Sequence, residues 1–212
     1  NNIKRIYDEI KAVNSDAYVI LEHFADNSEE KDLANYGCML WGSGTHDAQE
    51  CVMGYPAYFN WLDYKTRGWN SPKVMAYPES HDEERLAYKA LQFGNINGSY
   101  SVKDINTALD RIELLWVVFG SMPGPKMTWQ FMELGYDYSI DYNGRTGNKP
   151  IKWDYNQASN RRDVYKVHAA INKLKTTSDA FSNNNYSLDV EGRGKRVFLN
   201  GSDMQAVVMG NF

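Results

Sequence analysis

The feature that most constrains the fold is a short apolar run that ends in a carboxylate. Residues 17–21 are all apolar or aromatic, and Glu22 and His23 follow them at once. Such a run suits a strand that is buried on both faces of a parallel sheet. In a barrel of alternating strands and helices, side chains at the C-terminal strand ends carry the chemistry. Glu22 is therefore a candidate functional residue, and a surface charge or a helix cap is the alternative.

Segments with strand-like and helix-like patterns alternate over most of the chain. Apolar residues recur three or four positions apart, which predicts helices over residues 3–13, 27–35, 48–64, 102–119 and 164–174. Short apolar runs predict strands over residues 17–21, 37–42, 73–77 and 126–131, and a loop is predicted over residues 93–101. A helix followed by strand–helix pairs is typical of an α/β fold with a parallel sheet.

The pattern changes near residue 187, where the helical spacing ends. Alternating runs over residues 195–199 and 205–212 predict short strands with no helix between them, which indicates an antiparallel β unit. The whole order predicts an α/β fold, in which residues 1–183 form half of a (β/α)8 TIM barrel. Residues 184–212 are then the start of an all-β C-terminal domain.

The charge pattern argues against two classes of partner. The formal net charge is −4, and the 23 Lys and Arg residues are scattered along the chain. A nucleic-acid or anionic-membrane surface needs clustered positive charge, so we predict no nucleic-acid partner. A bilayer-spanning helix needs about 18 consecutive apolar residues. No run in the sequence approaches that length.

Aromatic residues make up 14% of the chain and leave two interpretations open. They can fill a large core, or they can present ring faces on which sugars stack. The two cysteines, Cys38 and Cys51, have neither the spacing nor the neighbours of a metal site. We therefore predict no metal and no cofactor for these residues.

Two predicted strand ends carry a carboxylate beside an imidazole. They are Glu22 with His23, and His81 with Asp82, and the predicted barrel places both at one rim. Cleavage of a glycosidic bond needs two carboxyl groups in such a place. One protonates the leaving oxygen, and the other attacks or stabilises the oxocarbenium-like centre. For residues 81–84, a turn followed by acids in a first helical turn is the alternative interpretation.

Several segments resemble, in order, segments of the α-amylase family (glycoside hydrolase family 13). Residues 75–82, Met-Ala-Tyr-Pro-Glu-Ser-His-Asp, resemble the segment around its seventh strand. Val-Ile-Leu-Glu at residues 19–22 resembles its fifth-strand segment, which ends in the general acid. Later matches are to the turn into the eighth strand, the Glu-Ile-Gly after it, the following loop, the last barrel helix and a C-terminal strand: residues 121–131, 133–135, 149–153, 164–175 and 205–212.

The resemblance implies roles for five residues. Glu22 is implied as the general acid/base. Asp82 is implied as the carboxylate that holds substrate hydroxyls and supports the transition state, with His81 hydrogen-bonded to a sugar hydroxyl. From their positions, His23 and Trp41 border the leaving-group side.

The resemblance also marks what this sequence lacks. The family's nucleophile, an Asp at the end of the fourth strand, falls before Asn1, as does the usual Ca-binding insertion. We therefore expect barrel strands five to eight in a C-terminal fragment that is inactive alone and self-associates. Two positions depart from the family pattern, because Ser80 replaces the usual Asn and Met132 replaces a small residue.

The expected function follows from the resemblance. The intact protein is expected to be a retaining α-glucan-active glycoside hydrolase that acts on α-1,4 or α-1,6 bonds of starch-type glucans. The sequence looks most like secreted, starch-active members from Bacteroidetes-type bacteria, so a secreted, periplasmic or cell-surface location is expected. The alternatives are a branching or transfer enzyme and a non-catalytic glucan-binding or scaffold protein.

Overall fold

The structure is a computed structural model that describes residues 2–212, so Asn1 of the predicted first unit lies outside it. The α-helices of this range are α1 (Asn2–Val13), α2 (Asn27–Tyr36), α3 (Thr45–Met53), α4 (Leu86–Phe93), α5 (Ile105–Ser121) and α6 (Ser159–Thr177). The strands are β1 (Ile20–Leu21), β2 (Met39–Ser43), β3 (Val74–Tyr77), β4 (Ile96–Asn97), β5 (Tyr100–Ser101), β6 (Tyr186–Asp189), β7 (Gly194–Asn200) and β8 (Gln205–Asn211). Short 3-10 helices occupy Asn60–Leu62, Met132–Leu134, Trp153–Gln157 and Asp179–Phe181.

The first sheet is parallel and follows chain order, β1–β2–β3. Its register pairs Leu21 with Leu40 and Trp41 with Met75, so the C-terminal ends of the three strands lie along one edge. Helices α2 and α3 separate successive strands in the sequence. The predicted mixed α/β fold is confirmed at this level, and it places the residues after each strand next to one another.

The predicted fourth strand, residues 126–131, is wrong beyond a single parallel bridge between Ala76 and Lys126. The Met127 amide donates to the Ala76 carbonyl at 3.0 Å, and there the pairing with β3 stops. Two local features explain this. The Lys126 ammonium donates to three carbonyls of the preceding turn, those of Met122, Pro123 and Gly124. At the other end, Phe131 has a φ of 60°, which an extended strand does not adopt.

The run of residues 17–21 is not buried on both faces, which corrects the second expectation. Tyr18 is 77% exposed and Ile20 is also exposed, whereas Val19 and Leu21 pack against the core. Within residues 2–212, β1 pairs only with β2 and forms the edge of the sheet. An apolar run by itself does not distinguish a central strand from an edge strand, because the neighbours are set by tertiary structure.

Helix α3 ends well before residue 64, the predicted end of the helix in this region. Gly54 has a φ of 96°, and its amide donates to the Cys51 carbonyl, while the Tyr55 amide donates to the Glu50 carbonyl. This is the usual way in which a left-handed glycine ends a helix. The predicted loop over residues 93–101 contains the short hairpin of β4 and β5.

Helix α5 forms the centre of the core. Its predicted apolar stripe is confirmed, with five large side chains fully buried: Leu109, Ile112, Leu115, Trp116 and Phe119. The Asp104 carboxylate accepts from the amides of Asn106 and Thr107 at 3.0 and 3.1 Å, which caps the first turn. Helix α5 packs against both α6 and β8.

The strands predicted after residue 187 are confirmed as the antiparallel sheet β6–β7–β8. Val197 and Leu199 of this sheet belong to the same buried apolar cluster as α5. Lys195 is buried, and its ammonium donates to three carbonyls, those of Ala57, Val190 and Gly192. The sheet is therefore joined to the α/β part by a common core, and the boundary at residues 183 and 184 stays a prediction. Across residues 2–212, every helix is too short or too polar to cross a membrane.

Candidate functional site

A small cleft opens where the parallel strands end. Glu22 follows β1 directly and lines this cleft, which has a volume of about 140 Å³. The other walls come from β2, β3 and the segments that follow β3: Trp41, Tyr77, Ser80, His81, Met127 and Trp129. Three of the five residues predicted from the sequence, Glu22, Trp41 and His81, thus lie in one cleft. We refer to it as the Glu22 cleft.

Aromatic side chains shape the floor of the Glu22 cleft. The Trp41 and Tyr77 rings meet edge to face, with centroids 5.5 Å apart and planes at 87°. Burial is the main reason that the pKa of the Tyr77 hydroxyl is raised, and the charges of Glu83, Glu22 and Asp82 raise it further. Carboxylates from two strand ends therefore act on one hydroxyl. Sequence reasoning missed Tyr77, which reads as one more apolar residue of the strand.

Asp82 lines a second, larger cleft of about 580 Å³, which shares His81 and Trp129 with the Glu22 cleft. His81 Nε2 lies 3.3 Å from Asp82 Oδ2, and both side chains are exposed. Arg145 donates to the Asp82 carbonyl, and its guanidinium lies 3.9 Å from Asp82 Oδ1. We call this second cavity the Asp82 cleft. Glu22 and Asp82 thus face adjoining clefts whose common wall is His81 and Trp129.

Ser80 organises the turn that presents His81 and Asp82. Its Oγ accepts from the Asp82 amide at 3.1 Å and donates to the Glu83 carboxylate. The serine that departs from the family pattern therefore supports the turn through two hydrogen bonds. Helix α4 begins only at Leu86, so the acids of residues 82–84 precede the helix and do not form its first turn.

Glu79 is a buried carboxyl group beneath this turn that sequence reasoning did not identify. Its side chain is in a residue only 1% exposed, and Oε1 accepts from the Leu86 amide at 2.7 Å. Oε2 has no hydrogen-bond partner. Burial raises the pKa of Glu79 to about 8, while the Leu86 amide and the charge of Arg85 act in the opposite direction. Glu79 is therefore mostly protonated at neutral pH and links β3 to the start of α4.

Glu84 ties a distant loop to the same turn. Its Oε2 accepts from the Ser139 hydroxyl at 2.7 Å, and its Oε1 accepts from the Ile140 amide at 2.8 Å. The loop beyond is closed by Lys149, whose ammonium donates to three of the loop's own carbonyls. The loop carries Arg145 to the Asp82 cleft. These contacts join residues more than fifty positions apart, so no local sequence signal reveals them.

His23 is the predicted site residue that the structure places elsewhere. It is not among the residues that line the Glu22 cleft. Its Nε2 lies 3.1 Å from Glu29 Oε1 on α2, at ion-pair distance but without the angles of a hydrogen bond. Phe24, with a φ of 45°, turns the chain just after it. Its role at the leaving-group side stays a prediction.

The strand-end cleft and the parallel sheet define an α/β protein with candidate acid chemistry at the C-terminal strand ends. No protein-family model and no characterised protein matches the sequence. Solved structures do match its fold. An Anoxybacillus α-amylase is 16% identical with a TM-score of 0.68, and the match covers 98% of this chain and 44% of that one. The type III pullulan hydrolase from Thermococcus kodakarensis is 19% identical with a TM-score of 0.70, covering 98% and 36%.

A third match is the α-amylase from Geobacillus thermoleovorans, whose structure was determined in complex with acarbose. It is 14% identical with a TM-score of 0.68, over 96% of this chain and 44% of that one. The chain thus has an α-amylase-like fold and spans less than half the length of each of these structures. At this identity the similarity shows the fold alone, since one fold supports many functions.

Proposed function

We propose that this chain forms part of a retaining glycoside hydrolase of the α-amylase type, which cleaves α-1,4 or α-1,6 bonds in starch-type glucans. The observation that carries the proposal is the strand-end arrangement. Glu22, Trp41 and His81 line one cleft, and Asp82 lines the cleft beside it. The sequential parallel order of β1, β2 and β3 supports strands five to eight of a (β/α)8 barrel as the scaffold.

The proposed chemistry gives each residue one task. Glu22 donates its proton to the glycosidic oxygen as the bond to the leaving sugar breaks. Asp82 accepts hydrogen bonds from the hydroxyls of the sugar at the cleavage point, and His81 donates one to the same sugar. Trp41 offers a ring face on which a pyranose can stack. We propose that the carboxylate nucleophile comes from residues outside these 212, so that the chain is inactive alone.

The proposal predicts the effect of Glu22→Gln in the full-length protein. The amide has the shape of the acid but no proton to donate, so kcat on a linear maltooligosaccharide should fall by about 10²- to 10⁴-fold. Binding of the same saccharide, followed by calorimetry, should be retained. Glu29→Gln is a matched control, because Glu29 is an exposed glutamate on α2 that does not line the Glu22 cleft. Wild-type turnover in Glu22→Gln would refute the assignment.

A second candidate function is glucan binding without catalysis, as in a scaffold protein. It is favoured by one observation: each cleft is lined by a single carboxylate, Glu22 in one and Asp82 in the other. Saccharide binding without any turnover by the full-length protein would select this candidate. Formation of new glucosidic bonds in the presence of an acceptor sugar would instead identify a branching or transfer enzyme.

The proposal extends to the setting of the protein. Among residues 2–212, no three His, Cys, Asp or Glu side chains are grouped as metal ligands. We propose that any Ca²⁺ is held by other parts of the full-length protein. We also propose a secreted, periplasmic or cell-surface location in a Bacteroidetes-type bacterium, on the resemblance alone.

A further inference from the structure

A third cavity lies between α6 and the segments on either side of the polar loop. It has a volume of about 480 Å³, and we call it the α6 groove. Its principal walls are Phe131, Glu133, Trp153, Tyr165, His168 and Asn172. It shares Trp129 and Gln130 with the Asp82 cleft, so the two cavities are neighbours. The proposed function assigns no role to the residues of this groove.

His168 is a buried acceptor in this groove with no partner. The residue is 3% exposed, and its Nδ1 lies 3.0 Å from the Val164 carbonyl oxygen. A carbonyl only accepts, so Nδ1 carries the hydrogen and Nε2 carries a free lone pair. Nε2 has no hydrogen-bond partner in the structure. A buried acceptor without a donor is costly, which makes this position receptive to a hydroxyl or amide group.

The imidazole of His168 is held neutral and fixed. Burial lowers its pKa to about 4, so the ring is uncharged at neutral pH. It stacks on Trp116, with centroids 4.4 Å apart and planes at 13°. The ring therefore cannot turn away from the groove without losing this packing. It acts as a preorganised hydrogen-bond acceptor.

Aromatic faces accompany this acceptor at the mouth of the groove. Trp153 is 72% exposed and Tyr165 is 50% exposed. Phe131 supports Trp153 edge to face, with ring centroids 4.9 Å apart. Large exposed aromatic side chains around a cavity mark binding sites, and their faces suit the apolar face of a pyranose ring.

The charges of the groove select against ions. None of its lining residues is Lys or Arg, which argues against an anionic ligand. Only Glu133 and His168 are of metal-ligand type, and residues 2–212 contain no group of three such side chains. Burial raises the pKa of Glu133, which further weakens any attraction for a cation. The remaining ligand class is neutral, hydroxyl-rich and flat on one face.

We propose that the α6 groove is a second saccharide-binding site, separate from the Glu22 cleft, that takes a glucose unit of an α-glucan. The pyranose stacks on Trp153, and one of its hydroxyls donates to His168 Nε2. Glu133 and Asn172 supply further polar contacts. The inference goes beyond the proposed catalytic function, because it needs neither Glu22 nor Asp82.

The test uses the chain's four histidines, of which His81 and His168 report on different cavities. The protein, labelled at the imidazole carbons, is titrated with maltotriose and followed by NMR. We expect the His168 signal to shift in a saturable manner, with His46 on α3 as an unmoved reference. In Trp153→Ala, the affinity read at His168 should fall about tenfold or more, while the His81 titration is unchanged. Trp61→Ala is the matched control, since Trp61 is an exposed tryptophan outside the groove.

The outcomes separate the two proposals. A His168 signal that stays fixed at maltotriose concentrations that saturate His81 overturns the second site. A His168 shift of undiminished affinity in Trp153→Ala overturns it as well, because the change is then transmitted from elsewhere. A saturable His168 shift with an unmoved His81 supports the second site and contradicts the proposed function. If neither signal moves, both proposals are wrong.

Discussion

Glu79 shows how one side chain can change character when the chain folds. In the sequence it is one of several acids between Pro78 and Arg85, and nothing distinguishes it from its neighbours. In the structure it is fully enclosed, with one oxygen bonded to the Leu86 amide and the other without a partner. A carboxyl group in such surroundings favours its neutral form, because burial penalises the charged one.

This burial predicts a pH-dependent stability. The unfolded chain releases the Glu79 proton near the ordinary pKa of 4.5, whereas the folded chain keeps it until a pKa of about 8. The folded state binds more protons between these values, so the free energy of unfolding should fall as pH rises from about 5 to 8. The contribution is at most about 5 kcal/mol.

The variant Glu79→Gln isolates this contribution. The amide keeps the acceptor for the Leu86 amide but cannot ionise, so its free energy of unfolding should depend less on pH than that of the wild type. Urea denaturation at pH 5, 6, 7 and 8 measures the difference. If the two proteins give parallel profiles, Glu79 titrates as an ordinary surface acid and its assigned burial is wrong.

Helix α5 illustrates what an element owes to its own sequence. Its apolar stripe and its capping aspartate are both readable in the sequence, and both are found in the structure. Because the Asp104 carboxylate accepts from two backbone amides, Asp104→Ala should lower the free energy of unfolding by about 1 kcal/mol. Asp110→Ala, on the exposed face of the same helix, should change it by less than about 0.5 kcal/mol. Equal effects of the two substitutions in urea denaturation would show that the cap contributes nothing.

The elements that sequence patterns placed wrongly fail for a common reason. The apolar residues of 126–131 suit a strand, yet the Lys126 side chain binds the preceding turn and Phe131 adopts a left-handed conformation. The aromatic residues of 48–64 suit a helix, yet Gly54 ends it. Local patterns report which residues are apolar, whereas tertiary contacts decide the backbone path between them.

At the scale of the whole molecule, one flank of the α/β part is open. Strand β1 is a sheet edge within residues 2–212, and α1 leaves three apolar side chains exposed: Ile6, Ile10 and Val13. Open edges and apolar patches favour pairing with another chain. We expect the 212-residue chain to self-associate with rising concentration, as sedimentation velocity can measure. Ile20→Lys should weaken this association, since a charge on an edge strand opposes pairing.

The matched control for this experiment is Val207→Lys, which adds the same charge to an exposed position on β8, away from the open flank. It should leave the association unchanged. A wild-type chain that stays monomeric at all concentrations measured contradicts the prediction. Equal weakening by both substitutions would indicate a general effect of charge and not pairing at β1.

The sequence by itself determined the mixed α/β order, the antiparallel strands after residue 187 and the position of Glu22 just after a strand. These depend on periodicity and on residues adjacent in the chain, which a linear pattern records. Tertiary structure decided that Trp41 and His81 join Glu22 while His23 turns to Glu29. It also decided that His168 is left with an unpaired acceptor. Burial and partners across the fold set these properties, and neither is encoded in any local stretch of sequence.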